Sequence, residues 1–151
     1  GVMLQDSWLF SGTIRENIQM GFNHYDDEHV LNICKVAGVD DFIGSHPKGY
    51  DLEINERGIG LSGGQRQTIN LARSLLHDPN ILLLDEPTSS MDQGTEQKVV
   101  TSLNSFTANK TMMIVTHRNP ILAMVDRVLV LENGQIMADQ TPEQLGIKKA
   151  I

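Results

Sequence analysis

The chain has 151 residues, 40% hydrophobic and 21% charged, the ordinary balance of one globular domain able to bury roughly 70% of its unfolded surface. A formal charge of −7 and a pI of about 5.1 exclude free nucleic acid as the main partner, which would need a basic face. They leave a nucleotide open, because backbone amides and one or two local cations suffice to hold it.

Gly1 to Leu4 reads as a short apolar strand that ends at Gln5, and Ser11 to Ile18 as a short helix with Ser11 as its N-cap. Asp26-Asp27-Glu28 opens a second helix, with negative charge where the macrodipole favours it, so these acids read as a solvated helix start rather than a metal site. Its apolar stripe is Val30, Leu31, Cys34 and Ala37, and Gly38 stops it. Cys34, the single cysteine, has no intrachain partner, which fits a reducing compartment and a small buried hydrophobe. A turn-rich stretch follows from Gly44 to Gly60.

From Ser62 the pattern changes. Ile69, Leu71, Ala72, Leu75 and Leu76 form a helical stripe that ends before Asp78-Pro79. Ile81 to Leu84 is a continuous apolar run, expected to be a parallel strand covered on both faces. Val99, Val100, Leu103 and Phe106 mark another helix, and Thr111 to Thr116 a second buried strand. Pro120 suits the first turn of a short helix reaching Met124. Arg127 to Glu132, Asn133-Gly134 and Gln135 to Ala138 spell a hairpin with a type I′ turn, and Thr141-Pro142-Glu143 starts a last helix. Strands alternating with helices give an α/β fold with a mostly parallel sheet, and the helical N-terminal third forms a subdomain beside it. No repeat or low-complexity linker interrupts it, and no apolar run reaches the ~20 residues that span a bilayer. The first residues are no signal peptide, and the chain is expected to be a piece of a longer polypeptide, with any membrane part outside it.

Two blocks carry chemistry. Leu61-Ser62-Gly63-Gly64-Gln65 stands at a helix start, where unpaired amides, two glycines and a hydroxyl suit a phosphate; the same tripeptide also serves as a plain turn and cap. Ile81 to Leu84 delivers Asp85 and Glu86 to the carboxyl edge of the sheet, where α/β folds bind ligands. There Asp85 would hold Mg²⁺ through water and Glu86 would orient and deprotonate an attacking water, unless both are solvated acids at a strand end.

The helix after Leu61–Gln65 leads into Ile81–Pro87, and Thr88-Ser89-Ser90-Met91-Asp92 and Thr116-His117 follow in order. This series resembles the ATPase domain of ABC transporters: signature motif, Walker B, D-loop and switch histidine, with Gln5 as the Q-loop. The resemblance covers essentially the whole chain. It implies an ABC-type P-loop NTPase fold, a mostly parallel sheet with a helical subdomain, in which the N-terminal part of the domain is missing. The Q-loop and helical subdomain would occupy about residues 6–60, and the signature helix, Walker B, D-loop, H-loop core and C-terminal hairpin about 61–151.

The resemblance also implies the cofactors ATP and Mg²⁺ and a role for each position. Gln5 would sense the γ-phosphate side, serve the metal and link the site to a transmembrane domain. Leu61, Ser62, Gly63, Gly64 and Gln65 would grip ATP bound to a second ATPase domain, Ser62 and Gly64 touching its γ-phosphate. Asp85 would serve Mg²⁺, Glu86 the attacking water and His117 the γ-phosphate in the transition state, while Asp92 would communicate across the dimer. The run Gln5 to Ile18 is similar to exporter Q-loops and Glu53 to Gly58 to their X-loop, with Asn55 in place of the usual Gly and Met91 in place of the usual Leu. The stretches Ala37 to Phe42 and His46 to Asp51 resemble bacterial type I secretion exporters of RTX-like toxins and adhesins. That places the chain at the cytoplasmic face of a bacterial inner membrane, beside a transmembrane domain and a secreted protein cargo, with no nucleic acid.

No Gly-x-x-x-x-Gly-Lys-Ser/Thr run occurs. In the family that segment lies before the Q-loop, so the chain by itself is expected to be nearly inert. The family's strand leading into that segment lies between those matching Thr111–Thr116 and Arg127–Glu132. Without it, the hairpin is expected to close onto Thr111–Thr116, or a second copy to supply the missing edge. Other readings are a soluble ABC-type ATPase of DNA repair or translation, and a non-catalytic interaction module.

Overall fold

The computed structural model describes residues 1–5, 8–22, 25–44 and 46–148; Asp6 and Ser7 of the run after Gln5 lie outside them. Two compact units divide the chain, Gly1–Val115 and Thr116–Ile151.

The first unit is built on a three-stranded parallel sheet in the order β1 (Val2–Met3), β4 (Ile81–Asp85), β5 (Thr111–Val115). A two-stranded antiparallel pair, β2 (Gly12–Thr13) and β3 (Glu53–Ile54), lies apart from it in pairing. The helices are α1 (Ile14–Gln19), α2 (Asp27–Ala37), α3 (Asp40–Ile43), α4 (Gly63–Leu75) and α5 (Gln93–Phe106), with α1 and α2 packed on α4 and α2 also on α5. The mixed α/β architecture with a parallel sheet is therefore the one expected from the sequence.

α4 buries Ile69, Leu71, Ala72, Leu75 and Leu76, the stripe read from the sequence. α2 is capped by Asp26, whose carboxylate accepts from the His29 N–H at 2.7 Å, and ends at Gly38 with φ +78°. A side chain at Gly38 would meet Val99 Cγ2 at 2.7 Å, so glycine answers both the left-handed turn and the approach of α5. Three local expectations shift. Ile33 is buried on α2 while Leu31 is 37% exposed, because the face toward α4 is turned slightly from the assumed stripe. Thr13 rather than Ser11 caps α1, since Glu16 three residues on completes a capping box. The segment after Pro142 makes only a 3-10 turn, Glu143–Leu145, closed by left-handed Gly146.

Both parallel strands were expected to be covered on two faces, and only one face is covered. Leu82 is 0% exposed and Leu83 44%, and Met113 of β5 is 63% exposed. The alternation follows from the two-residue period of a strand when packed helices lie on one side alone.

A polar hub fixes residues 8–17 to α4. The Arg73 guanidinium donates to Trp8 O at 3.0 Å, Asn17 O at 2.9 Å and Asn17 Oδ1 at 3.2 Å. Asn17 Nδ2 donates to Phe10 O and Thr13 O, both at 3.0 Å. Desolvation lowers the Arg73 pKa below the ordinary arginine value, yet an arginine remains charged.

Burial, ahead of all other causes, pushes the Cys34 thiol up to about 12. A pKa raised on folding gives stability that is complete below the free thiol's value of ~8.5 and is lost as pH rises above it. Cys34 is thus expected to resist a thiol reagent at pH 8 in the folded chain and to react at once in denaturant. Equal labelling rates in both states would contradict its placement.

In the second unit, α6 (Asn119–Leu122) carries Pro120 in its first turn, and β6 (Val128–Glu132) and β7 (Gln135–Gln140) form an antiparallel hairpin. Asn133 and Gly134 both have positive φ, 49° and 76°, as the type I′ turn requires. Among the described residues β6 pairs only with β7 and β5 only with β4, so the ladder expected between the hairpin and β5 is not formed. A two-residue turn makes the β6–β7 pairing local and cheap in loop entropy.

Candidate functional site

The site begins where β4 ends. Asp85 is its last residue, and Glu86 takes a left-handed conformation, φ +47°, that a non-glycine residue adopts only when held there. The holding groups are visible on both sides. The Glu86 N–H donates to Val115 O of β5 at 2.8 Å, and Glu86 O accepts from Gln67 Nε2 of α4 at 2.7 Å. The turn continues with Ser89 N–H to Glu86 O at 3.3 Å and Met91 N–H to Thr88 O at 3.0 Å. Thr88, fully buried, donates its hydroxyl to Glu96 Oε1 of α5 at 2.7 Å. Two carboxylates thus stand half-exposed on a rigid turn at the carboxyl edge of a parallel sheet. Gln5 follows Met3 by two residues, as Glu86 follows its register partner Leu84, so it lies at the same edge.

α4 supplies the second component. Ser62 is its N-cap in a reciprocal box: Gln65 N–H donates to Ser62 Oγ at 3.1 Å, and Ser62 N–H to Gln65 Oε1 at 2.9 Å. This leaves the Gly63 and Gly64 N–H groups as the donors that the helix itself does not satisfy. A phosphate fits such an end, which offers amides and the positive pole of a 13-residue helix. The glycines have a further reason that spacing alone did not reveal. A side chain at Gly63 would lie 3.2 Å from Ser90 Cβ, and one at Gly64 3.0 Å from Ser90 O. The two chemistry-bearing blocks therefore touch each other through backbone.

Gln5, Gly63, Gln67 and Ser90 line one cavity of about 470 Å³, closed on another side by Trp8 with Arg57 stacked 4.4 Å over its ring. A larger depression of about 540 Å³, between Lys35, Asp41 and Lys98, contains none of the candidate residues. For a metal, Asp85 is a single carboxylate at a strand end, and among the described residues no group of three or more His, Cys, Asp or Glu is placed to hold an ion. A carboxylate at a strand end fits Mg²⁺, which takes one or two carboxylates and fills its shell with water and phosphate oxygens.

Asp92 caps α5, accepting from Gly94 N–H at 3.0 Å, Thr95 N–H at 3.1 Å and Thr95 Oγ1 at 2.7 Å. The Thr95 hydroxyl first, and then its amide, hold the carboxyl below the usual aspartate value. The cap therefore strengthens the fold above that usual value and is lost as pH falls through the lowered one. His117 is exposed in the second unit, one residue beyond Thr116, whose Oγ1 accepts from the Arg118 N–H at 3.1 Å. The residue that sequence reasoning missed is Gln67. No pattern set it apart, since it stands between Arg66 and Thr68 with Asn70 one turn on, among side chains as polar as its own.

A family model described as ABC transporter matches residues 1–89. A multidrug export ATP-binding/permease protein of Staphylococcus aureus strain bovine RF122 / ET3-1 is 42% identical over 149 residues, 99% of this chain and 26% of that protein. A second, from strain NCTC 8325 / PS 47, is 41% identical over the same length. Among solved structures, a bacterial Atm1-family ABC exporter with ATP bound superposes with a TM-score of 0.89 at 37% identity, over 96% of this chain and 26% of that one. The chain spans about a quarter of the length of the curated relatives it matches.

Proposed function

This chain belongs to the ABC transporter family, and from that premise we propose that it is the ATP-hydrolysing part of an ABC exporter, with Glu86 as the base that takes a proton from the attacking water. The observation that carries this reading is the turn at the end of β4, which holds Glu86 left-handed at the sheet edge while the amide-bearing end of α4 abuts the same turn. A carboxylate fixed by its own backbone can orient a water without moving to do so.

The remaining roles follow the same reading. Leu61, Ser62, Gly63, Gly64 and Gln65 would present amides and a hydroxyl to the γ-phosphate of ATP held by a second ATPase domain. Asp85 and Gln5 would hold Mg²⁺, Asp85 through water, and Gln5 would report to a transmembrane partner. His117 would contact the γ-phosphate, and Asp92 would add contact across the dimer to its capping of α5. When bound, Mg²⁺ offsets negative charge on the phosphate oxygens. Residues 6–60 would form the Q-loop and helical subdomain and 61–151 the signature, Walker B, D-loop and H-loop part.

No helix among the described residues is long and apolar enough to cross a membrane, so the membrane-crossing partner is assigned to other sequence. The domain would work at the cytoplasmic face of the membrane. The relatives' names favour export of small molecules. Type I secretion of an RTX-like protein is the second reading, supported by the stretches 37–42 and 46–51 alone. Lacking a Gly-x-x-x-x-Gly-Lys-Ser/Thr run, the 151-residue chain by itself would bind and hydrolyse ATP poorly.

The test is hydrolysis by the purified full polypeptide that carries this chain. EDTA should abolish it, added Mg²⁺ should restore it, and Asp85→Asn should lower it by at least about tenfold, because it removes the carboxylate charge assigned to the metal. Hydrolysis that persists unchanged in EDTA would remove the metal from the reading.

A further inference from the structure

Gln67 is 7% exposed and spends its side chain entirely on the turn that follows β4. Its Nε2 donates to Glu86 O at 2.7 Å and to Ser89 Oγ at 3.1 Å, and its Oε1 accepts from the Ser90 N–H at 2.9 Å. Both amide protons and one acceptor are thus used on three residues, Glu86, Ser89 and Ser90, of the one loop between β4 and α5. The Ser89 hydroxyl returns a bond to the same Glu86 O at 3.2 Å.

The position of these bonds matters more than their number. Glu86 sits at φ +47°, a conformation from which an L-residue relaxes unless its flanking peptides are pinned. The peptide before it is pinned by Val115 O of β5, and the peptide after it by Gln67. The sheet therefore fixes one side of Glu86 and α4 fixes the other. Gln67 lies one turn beyond Gly63, so any shift of the amide-bearing end of α4 is carried by a rigid helix to the carbonyl of Glu86. The bond from Thr88 to Glu96 ties the same turn to α5 without engaging Glu86 O, and Gln67 supplies the bond to that oxygen from α4.

We infer that Gln67 is a positioning residue for hydrolysis: it sets the direction of the Glu86 carboxylate and makes that direction depend on where the first turn of α4 lies. The inference rests on Glu86 being the base. It places the glycine-rich end of α4 and the hydrolytic turn of one chain under a single side-chain clasp.

The experiment uses the full polypeptide carrying this chain, with Gln67→Leu, Gln67→Glu and Glu86→Gln assayed together. Gln67→Leu removes all three bonds at similar volume. It should lower kcat by about tenfold to a hundredfold, the cost of a misplacement of about 1 Å, with KM for MgATP changed less than about threefold. Gln67→Glu keeps the shape and the acceptor for Ser90 but, ionised, faces Glu86 O with no donor. Burial raises such a carboxyl's pKa, so its activity relative to the unmodified protein should rise as pH is lowered and the protonated acid regains a donor. Full kcat in Gln67→Leu, or KM raised with kcat intact, overturns the inference. If Gln67→Leu does not fold, a flat activity ratio across pH in Gln67→Glu overturns it. Glu86→Gln separates the two levels. Inactive Glu86→Gln beside fully active Gln67 variants sinks the clasp alone, whereas fully active Glu86→Gln removes the base on which the clasp rests.

Discussion

Glu86→Gln in the full polypeptide is expected to lower the rate of ATP hydrolysis on the order of a hundredfold to ten-thousandfold, the range that a positioned general base contributes. Affinity for MgATP should change less than about twofold, because in the proposed role the carboxylate acts on water and not on the phosphate grip. Glutamine matches glutamate in shape, and the backbone bonds to Val115 O and from Gln67 Nε2 do not depend on the side chain's charge. The left-handed turn should therefore survive, and the loss can be ascribed to the missing proton acceptor. With ATP bound and not consumed, two copies of the polypeptide's ATPase part should stay associated, which light scattering with and without nucleotide would detect. Hydrolysis at the unmodified rate would show that Glu86 is not the base.

The largest expected change in stability is at Arg73. Replacing it with alanine takes a charged donor from Trp8 O, Asn17 O and Asn17 Oδ1; Asn17 Oδ1 keeps the Phe10 N–H at 2.8 Å, whereas Asn17 O, on a residue 1% exposed, loses the guanidinium. Hydrogen bonds to a charged group contribute about 1.5–3 kcal/mol, and a stranded buried acceptor costs a comparable amount, so Arg73→Ala should destabilise by about 3 kcal/mol or more. The segment from Trp8 to Asn17 would lose its hold on α4 at the same time, including the stacking of the Arg73 guanidinium on Phe10 at 5.3 Å. Arg73→Lys keeps a charge but not the planar fork that reaches two residues at once, and should fall between the two. Urea unfolding of the three chains side by side checks the order. Equal midpoints for Arg73→Ala and the unmodified chain would show that the hub carries no stability.

What the sequence determined by itself is what depends on neighbours within a few residues. The α4 stripe from Ile69 to Leu76, the caps Asp26 and Ser62, the stop at Gly38 and the Asn133-Gly134 turn each follow from a period or a short bond, and each stands where the residues placed it. The same locality put Asp85 and Glu86 at a strand end and Ser62 to Gln65 at a helix start, because both are properties of an element's terminus. One local reading shifted: Thr13, not Ser11, caps α1, because Glu16 closes a capping box with it. Tertiary structure alone decided the rest. Leu83 and Met113 are as apolar as any core residue, and their exposure reflects which sheet face the helices cover. Gln67 reaches a loop 19 to 23 residues away and Arg73 a residue 56 away, across turns whose directions no pattern encodes. A hydrogen bond needs its partners placed to within a few tenths of an ångström, and for such distant residues only the packed elements supply that placement.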